Sequence, residues 1–247
     1  MTQAGDSARH VRLMRDLELW LVDLQSASGA LEVREQCSTL LSNEEKQRAE
    51  AMAARPDDQR YWRAAHIALR LLIARWGGIE TARMAYSFSS MGRPEIACAA
   101  FSFSLSHAGA AALIGLAPHG PIGVDLELPR PVKIDEDRLL QIEEHGQSLL
   151  PGVPLPSDPE PRFLQAWVRI EAAAKAEGIG VGRALTRIGV IGGEKGSHAS
   201  TMTNVFEVRD VCAAPGLYAA VAAPKLPAIL PIQKFPCDQA GIAGLFG

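Results

Sequence analysis

The stretch Phe101 to Glu127, FSFSLSHAGAAALIGLAPHGPIGVDLE, constrains the fold of this 247-residue chain more than any other. Phe101, Phe103 and Leu105 alternate with Ser102, Ser104 and Ser106, the two-residue period of a strand with one apolar face. The strand runs into Ser106-His107-Ala108-Gly109, a small-residue turn that leaves an imidazole at its end. Ala111 to Ala117 predicts a second strand. In the segment from Ile122 to Leu128, Ile122, Val124, Leu126 and Leu128 share one face, while Asp125 and Glu127 share the other. Two carboxylates on one strand face repel each other. Such a pair persists where the face is solvated, or where a cation sits between the two acids. Alone, Asp-x-Glu reads as the charged outer face of an edge strand, because acids are mostly exposed. His107 upstream and Glu171 with Lys175 downstream weigh toward the cation.

The flanking segments supply helices and further strands. Glu18 to Leu24 predicts a first strand. Ser42 with Glu45 three residues on forms a capping box, for a helix that runs to about Arg55 and stops before Pro56. Asp58 to Trp76 predicts a longer helix ended by Gly77-Gly78, its core face built from Trp62, Ala65, Leu69, Leu72, Ile73 and Trp76. Met84 to Phe88 suggests a short strand, followed by a Gly92-Arg93-Pro94 turn. Asp135 to Leu150 reads as a helix. Residues 151–161 carry five prolines in eleven positions, an extended loop that cannot be helix or central strand. A helix starting near Pro161 places Phe163, Trp167, Ile170 and Ala174 in one buried stripe, with Glu171 and Lys175 at its edge. Strands are expected at Leu185 to Ile191, Asn204 to Val211 and Leu217 to Ala223, with a turn at 193–196. These helix-then-strand alternations predict an α+β fold of two lobes, 17–121 and 122–225, with loose tails at 1–16 and 226–247.

Composition excludes several classes. A net charge of −3 gives no whole-molecule case for nucleic-acid binding, although Arg48, Arg55, Arg60, Arg63, Arg70 and Arg75 crowd one segment. No run approaches the ~18 apolar residues of a membrane span. Arg9, Arg12, Arg15 and Asp16 interrupt any signal-peptide core, so a cytoplasmic location is expected. Cys37, Cys98, Cys212 and Cys237 are widely spaced and read as buried small hydrophobes, not a zinc site or disulfide frame.

Asp125, Glu127 and Glu171 together could form an all-oxygen site, which favours Mg²⁺ over zinc. Magnesium on a few carboxylates usually completes its shell with phosphate oxygens, so a phosphorylated substrate follows. His107, Arg93, Lys175 and the basic helical segment could bind its phosphates. Each signal has a plainer reading. Glu171 with Lys175 is an i,i+4 surface pair worth a few tenths of a kcal/mol, a lone histidine is more often structural, and an arginine run is usually a solvated helix face.

The order of the pieces resembles the 4′-phosphopantetheinyl transferases, in particular the two-lobed, surfactin-synthetase-activating subfamily. The matching residues are the helix start from Leu41-Ser42 to Ala49, Gly92-Arg93-Pro94, Leu105-Ser106-His107, Gly123-Val124-Asp125-Leu126-Glu127, Trp167-x-x-x-Glu171-x-x-x-Lys175-x-x-Gly178, and the closing Pro215 to Val221. The resemblance implies two similar α+β lobes with coenzyme A between them. It implies Mg²⁺ held by Asp125, Glu127 and Glu171, with Glu171 as base toward a carrier-protein serine and Lys175 assisting release of 3′,5′-ADP. Ser106, His107 and Arg93 would hold phosphates of coenzyme A, and Arg48, Arg55 and Arg60 are candidates for its 3′-phosphate. The sequence departs from the family at Ile170, which stands where a lysine is usual, and at Arg93, which replaces a commoner lysine. The Phe-Ser-x-x-Glu helix usual after Glu127 is also missing.

The expected function is transfer of 4′-phosphopantetheine from coenzyme A to a serine of an acyl or peptidyl carrier protein by a monomeric enzyme. Such a reaction serves fatty acid, polyketide or nonribosomal peptide synthesis. Two other readings use the same residues: a coenzyme A-binding paralogue with impaired catalysis, and a Mg²⁺-dependent phosphoester hydrolase.

Overall fold

Strand alternation decides the layering. The computed structural model describes residues 16–97, 99–191 and 205–246. The chain opens with β1 (Glu18–Asp23) and then α1 (Leu24–Ser38), α2 (Asn43–Glu50), α3 (Pro56–Gly77) and α4 (Ile79–Arg83). The short strands β2 (Ser87–Phe88) and β3 (Pro94–Glu95) form a hairpin, and β4 (Ser102–Ala108) and β5 (Ala111–Ala117) follow. The second half holds β6 (Gly123–Glu127), α5 (Glu136–Leu149), α6 (Pro159–Glu177), α7 (Val181–Arg187), β7 (Glu207–Asp210), β8 (Tyr218–Ala223), β9 (Ile232–Lys234) and α8 (Gln239–Gly244). The fold is α+β. No helix among the described residues is long and apolar enough to cross a membrane.

Two sheets stack on each other. The larger has the order β4-β5-β1-β9, the smaller β6-β8-β7. Trp20 and Val22 of β1 and Ile114 and Leu116 of β5 face α1 and α3, sharing a core with Leu31, Ala65 and Leu72. The opposite face, with Leu19 and Leu113, packs on Val124, Leu126, Ala219 and Val221 of the smaller sheet. Gly115 lies on that face, where a Cβ would sit 2.7 Å from Ile122 and 2.8 Å from Val124, so its missing side chain lets the sheets approach. Beyond the smaller sheet, Ala220 and Ala222 meet Val168, Ala172 and Ala176 of α6. The far side of α6 buries Phe163, Ile170 and Ala174 against Ile142 of α5 and Ala184 and Leu185 of α7.

Local chemistry explains most boundaries. The Ser42–Glu45 capping box starts α2, and Gly178 ends α6 in the left-handed conformation at φ 85°. Helix α6 begins at Pro159, so the last prolines of the 151–161 loop form its first turn. The loop itself is tethered, because Arg169, fully buried, donates to the Val153 and Gly146 carbonyls and pairs with Asp210 at 2.6 Å.

Several expectations need correction. No strand forms at Leu185 to Ile191. Val181, Ala184, Leu185 and Ile188 follow helical spacing; α7 buries Ala184 and Leu185, and Ile188 is buried at its C-cap. The segment after Pro224 is not a loose tail: β9 pairs parallel with β1, Phe235 is buried, and Ile242 of α8 joins the core with α1. Cys37, Cys212 and Cys237 are exposed rather than buried. Helix α1 was not anticipated, because its stripe of Leu24, Ala27 and Leu31 continues through the buried Glu35 and Ser38. Glu35 earns that place by accepting from the Leu40 and Leu41 amides. The N-terminal tail through residue 15, Cys98 and the 193–196 turn lie outside the described residues.

The tightest contact is between β6 and α6. A Cβ on Gly123 would lie 2.0 Å from the Ala172 carbonyl oxygen and 2.5 Å from the Ala176 amide nitrogen. Backbone atoms cannot swing aside, so Gly123→Ala must push the helix off the strand. The expected loss is about 3 kcal/mol or more, at the top of the overpacking range, read as a lower urea midpoint at unchanged m.

Candidate active site

The close packing at Gly123 turns Asp125 and Glu127 toward α6 and covers the strand face that a solvated edge would have left open. Asp125 is only 3 % exposed. Its Oδ1 accepts from the Lys175 ammonium at 2.6 Å and from the Ser106 hydroxyl at 2.8 Å. Lys175 Nζ also donates to the Val124 carbonyl at 3.1 Å, and its distance to Glu171 is 3.7 Å. Ser104 and Ser106 of β4 turn toward β6. They lie on the sheet-to-sheet face, where Ser104 Oγ accepts from the Val124 amide at 3.1 Å and Ser106 steadies Asp125.

Glu171 is the most perturbed acid at this junction. Burial, the charge of Asp125, a hydrogen bond with Asp125 and the charge of Glu127 raise its pKa to about 7, against the pull of Lys175. A carboxyl that holds its proton near neutrality is suited to exchange it during a reaction. Glu127 stands at the rim, and both its oxygens accept from the Arg130 guanidinium at 3.2 Å.

Beside this junction opens a cavity of about 750 Å³. Of the residues singled out in the sequence, Arg48, Arg93, Ser106, His107 and Lys175 line it, from α2, the hairpin turn, β4 and α6. Arg93 is fixed there by Glu95 at 2.8 Å and by the Ala176 carbonyl at 3.2 Å, a cation at the C-terminal end of α6. His107 opens onto the cavity and is itself exposed. Desolvation first, then the charges of His66, Lys175 and Arg48, hold its pKa below the ordinary value. The wall is largely apolar, and Arg48, Arg93, His107 and Lys175 give it donors suited to an anion, with Glu44 and Glu45 as the acids on the same wall.

Asp125, Glu127 and Glu171 are not on the cavity wall, and neither are the other arginine candidates. Arg55 pairs with Asp58, and Arg60 with Asp57 and the Tyr61 hydroxyl, all in exposed positions. Arg63 and Arg75 are spent on Glu32 and Glu18, and Arg70 is buried on Glu45. The basic run is thus mostly a set of internal ion pairs. Conversely, Glu45, Trp62, His66 and Tyr86 line the cavity and were not anticipated as site residues. Glu45 was visible only as a capping residue, and His66 falls four residues after Trp62 on the same helix face.

Among the described residues, no group of three His, Cys, Asp or Glu stands in a metal-binding arrangement. The acids are instead paired with Lys175 and Arg130. The donor chemistry nevertheless fits a hard cation: Asp125 Oδ2 is buried and accepts from no amine, amide or hydroxyl, and after desolvation it is the charge of Asp125 that most raises Glu171, a repulsion that a cation between two carboxylates relieves. Asp125 and Glu171 are the residues that would hold Mg²⁺, with Glu127 able to join only by releasing Arg130.

Ile170 precedes Glu171 but points away from it, fully buried with Phe163, Ala174 and Ile142. Its partners come chiefly from α5 and α7 rather than from the sheet. Ile170→Lys would place an ammonium in this core, and a loss of about 2–4 kcal/mol is expected by calorimetry.

No family model matches the chain. It is similar to a protein of Synechocystis sp. (strain ATCC 27184 / PCC 6803 / Kazusa) described as "Putative 4′-phosphopantetheinyl transferase", with 31% identity over 155 residues. The alignment covers 60% of this chain and 61% of that relative, so the chain spans less than two thirds of the relative's length.

The geometry also makes a pH prediction. A carboxyl raised in the folded state binds its proton more tightly there, so this contribution is present below the ordinary value near 4.5 and is lost as pH rises toward about 7. Wild type should therefore lose stability relative to Glu171→Gln across that window. Parallel denaturation curves at pH 4.5 and pH 7.5 read the difference, and a constant gap would overturn the assignment.

Proposed function

We propose that this protein transfers 4′-phosphopantetheine from coenzyme A to a serine of an acyl or peptidyl carrier protein, releasing 3′,5′-ADP. One observation carries the reading. Arg48, Arg93, Ser106, His107 and Lys175, drawn from four separate parts of the chain, line a single cavity, and Lys175 joins that wall to the buried Asp125 and to Glu171 behind it. The similarity to the Synechocystis protein supports the same class. The division into lobes 17–121 and 122–225, as in the surfactin-synthetase-activating subfamily, belongs to this proposal. The smaller sheet with α5 and α6 would form the second lobe, and β9 and α8 would return to the first.

In this reading the cavity binds the charged half of coenzyme A. Arg48, Arg93 and His107 contact its phosphates, and Ser106 keeps Asp125 in place. The serine oxygen of the carrier forms a bond to the phosphorus nearest pantetheine, and the bond from that phosphorus to the bridging oxygen breaks. Glu171 takes the serine proton, and Lys175 offsets the charge that develops on departing 3′,5′-ADP. Magnesium, held by Asp125 and Glu171, would supply Lewis-acid polarisation of the pyrophosphate oxygens. The burial of Ile170 supports an active enzyme over an impaired paralogue, since the residue is part of the core and not a lost member of the site.

Intact-mass spectrometry of an apo-carrier protein, incubated with coenzyme A, Mg²⁺ and this protein, should show a phosphopantetheine adduct that disappears with EDTA. Phosphopantetheine released into water without modification of any carrier would select the hydrolase instead. His107→Ala should raise KM for coenzyme A about tenfold and change kcat much less, because its contact is made in the ground state. A collapse of single-turnover chemistry at unchanged affinity would make His107 a base and displace Glu171.

A further inference from the structure

The cavity contains a polar group that the transfer reaction does not use. His66 of α3 lines it, with its side chain 17 % exposed. Two neighbours fix the ring. Trp62 stacks on it, with centroids 3.8 Å apart and planes 23° from parallel. Glu45 Oε1 lies 3.1 Å from Nδ1.

Glu45 is a committed acceptor. It receives the Ser42 amide at 2.8 Å and Arg70 Nη2 at 2.7 Å on Oε2. Burial would push its carboxyl up, but hydrogen bonds from His66 and Arg70 outweigh that and bring it down to about 2. An ionised carboxylate has no proton to give, so the hydrogen between the two residues is carried by Nδ1. Arg70 is itself immobile, fully buried with its Nη1 on the Ala82 and Met84 carbonyls at 2.8 and 2.5 Å and its guanidinium on the Tyr86 ring. The orientation of His66 is therefore set by a chain of buried contacts reaching back to the loop before the hairpin.

The other ring nitrogen is left for something else. Nε2 makes no hydrogen bond to any described residue, and it is not a sealed atom. Desolvation, with Arg48 and Arg70 nearby, holds the imidazole below its ordinary pKa against the pull of Glu45, which favours the neutral ring. A neutral ring with hydrogen on Nδ1 presents a bare acceptor at Nε2. A bare acceptor does not bind a phosphate oxygen; it takes a donor.

We propose that His66 is a ligand-recognition residue of this cavity, held by Glu45 and Trp62 so that Nε2 accepts a hydrogen bond from an N–H or O–H group of the bound nucleotide-type molecule. The cationic groups fix the phosphates, and His66 reads an uncharged part of the same molecule. The inference rests on the reading of the cavity as a coenzyme A site.

Calorimetric titration of the full chain with coenzyme A tests both separately. His66→Phe keeps a ring against Trp62 and removes the acceptor. About tenfold weaker binding than wild type is expected, the worth of one hydrogen bond. Equal affinity of the two proteins overturns the role of His66 and leaves the cavity reading standing. Failure of wild type to bind coenzyme A overturns the cavity reading and the inference with it. Because the variant removes a partner of Glu45 and can unfold for that reason, a second measurement uses wild type. In ¹⁵N spectra the His66 Nε2 signal should move from the position of a bare acceptor when coenzyme A is added, with Nδ1 still protonated. An Nε2 signal unmoved at saturation overturns the proposal.

Discussion

The site depends on one contact, the seating of α6 against β6 where Gly123 has no side chain. Strand and helix touch through backbone atoms there, closer than any Cβ permits. That approach converts Asp125 from a strand-face acid into a buried one and brings Lys175 within hydrogen-bond reach of both Asp125 and the Val124 carbonyl. It also forces Glu171 into the field of Asp125 and Glu127. Burial, pairing and the raised acid are thus consequences of one packing event.

Charge balance inside the molecule follows a repeated device. Arg70 of α3 and Arg169 of α6 are both fully buried, and each holds one carboxylate and two backbone carbonyls. An unpaired guanidinium in either place would cost several kcal/mol, so each arginine needs the carboxylate and carbonyls that surround it. Arg70 ties the start of α2 to the segment before the hairpin, while Arg169 ties the proline loop to β7. The basic look of the 48–75 segment therefore misleads. Most of its arginines are structural, and the cavity draws its positive charge from Arg48 together with residues far along the chain.

What could be read in the sequence divides along physical lines. Period-two alternation located β4 and β6, and the capping box located α2, because these signals are local. The direction of Asp125 and Glu127 was legible too, but not that their face would be covered, since burial depends on α6, more than thirty residues away. Helices α1 and α7 were missed for opposite reasons. In α1 a buried glutamate interrupts the apolar stripe, and in α7 the glycines at 180 and 182 hide a helical spacing that the structure uses. The C-terminal segment looked too rich in proline and glycine to order, yet a parallel pairing of three residues with β1 and the burial of Phe235 suffice. His66 was invisible for a different reason: a single histidine on a helix has no pattern, and its meaning arises only when Glu45, Trp62 and the cavity are placed around it.

Helical geometry also accounts for the departure at Ile170. Consecutive residues on a helix point about 100° apart, while residues four apart return to nearly the same face. Glu171 and Lys175 therefore share the face turned to β6, whereas Ile170 and Ala174 share the face turned to α5 and α7. Position 170 can change from a polar to an apolar residue without altering what β6 meets, provided the α5 side offers an apolar surface to receive it. Ile142, with the partly buried Leu139 and Leu149, offers that surface here. The residue immediately before Glu171 is thus a matter of how α5 packs, and Glu171 itself answers to Asp125 and to Gly123.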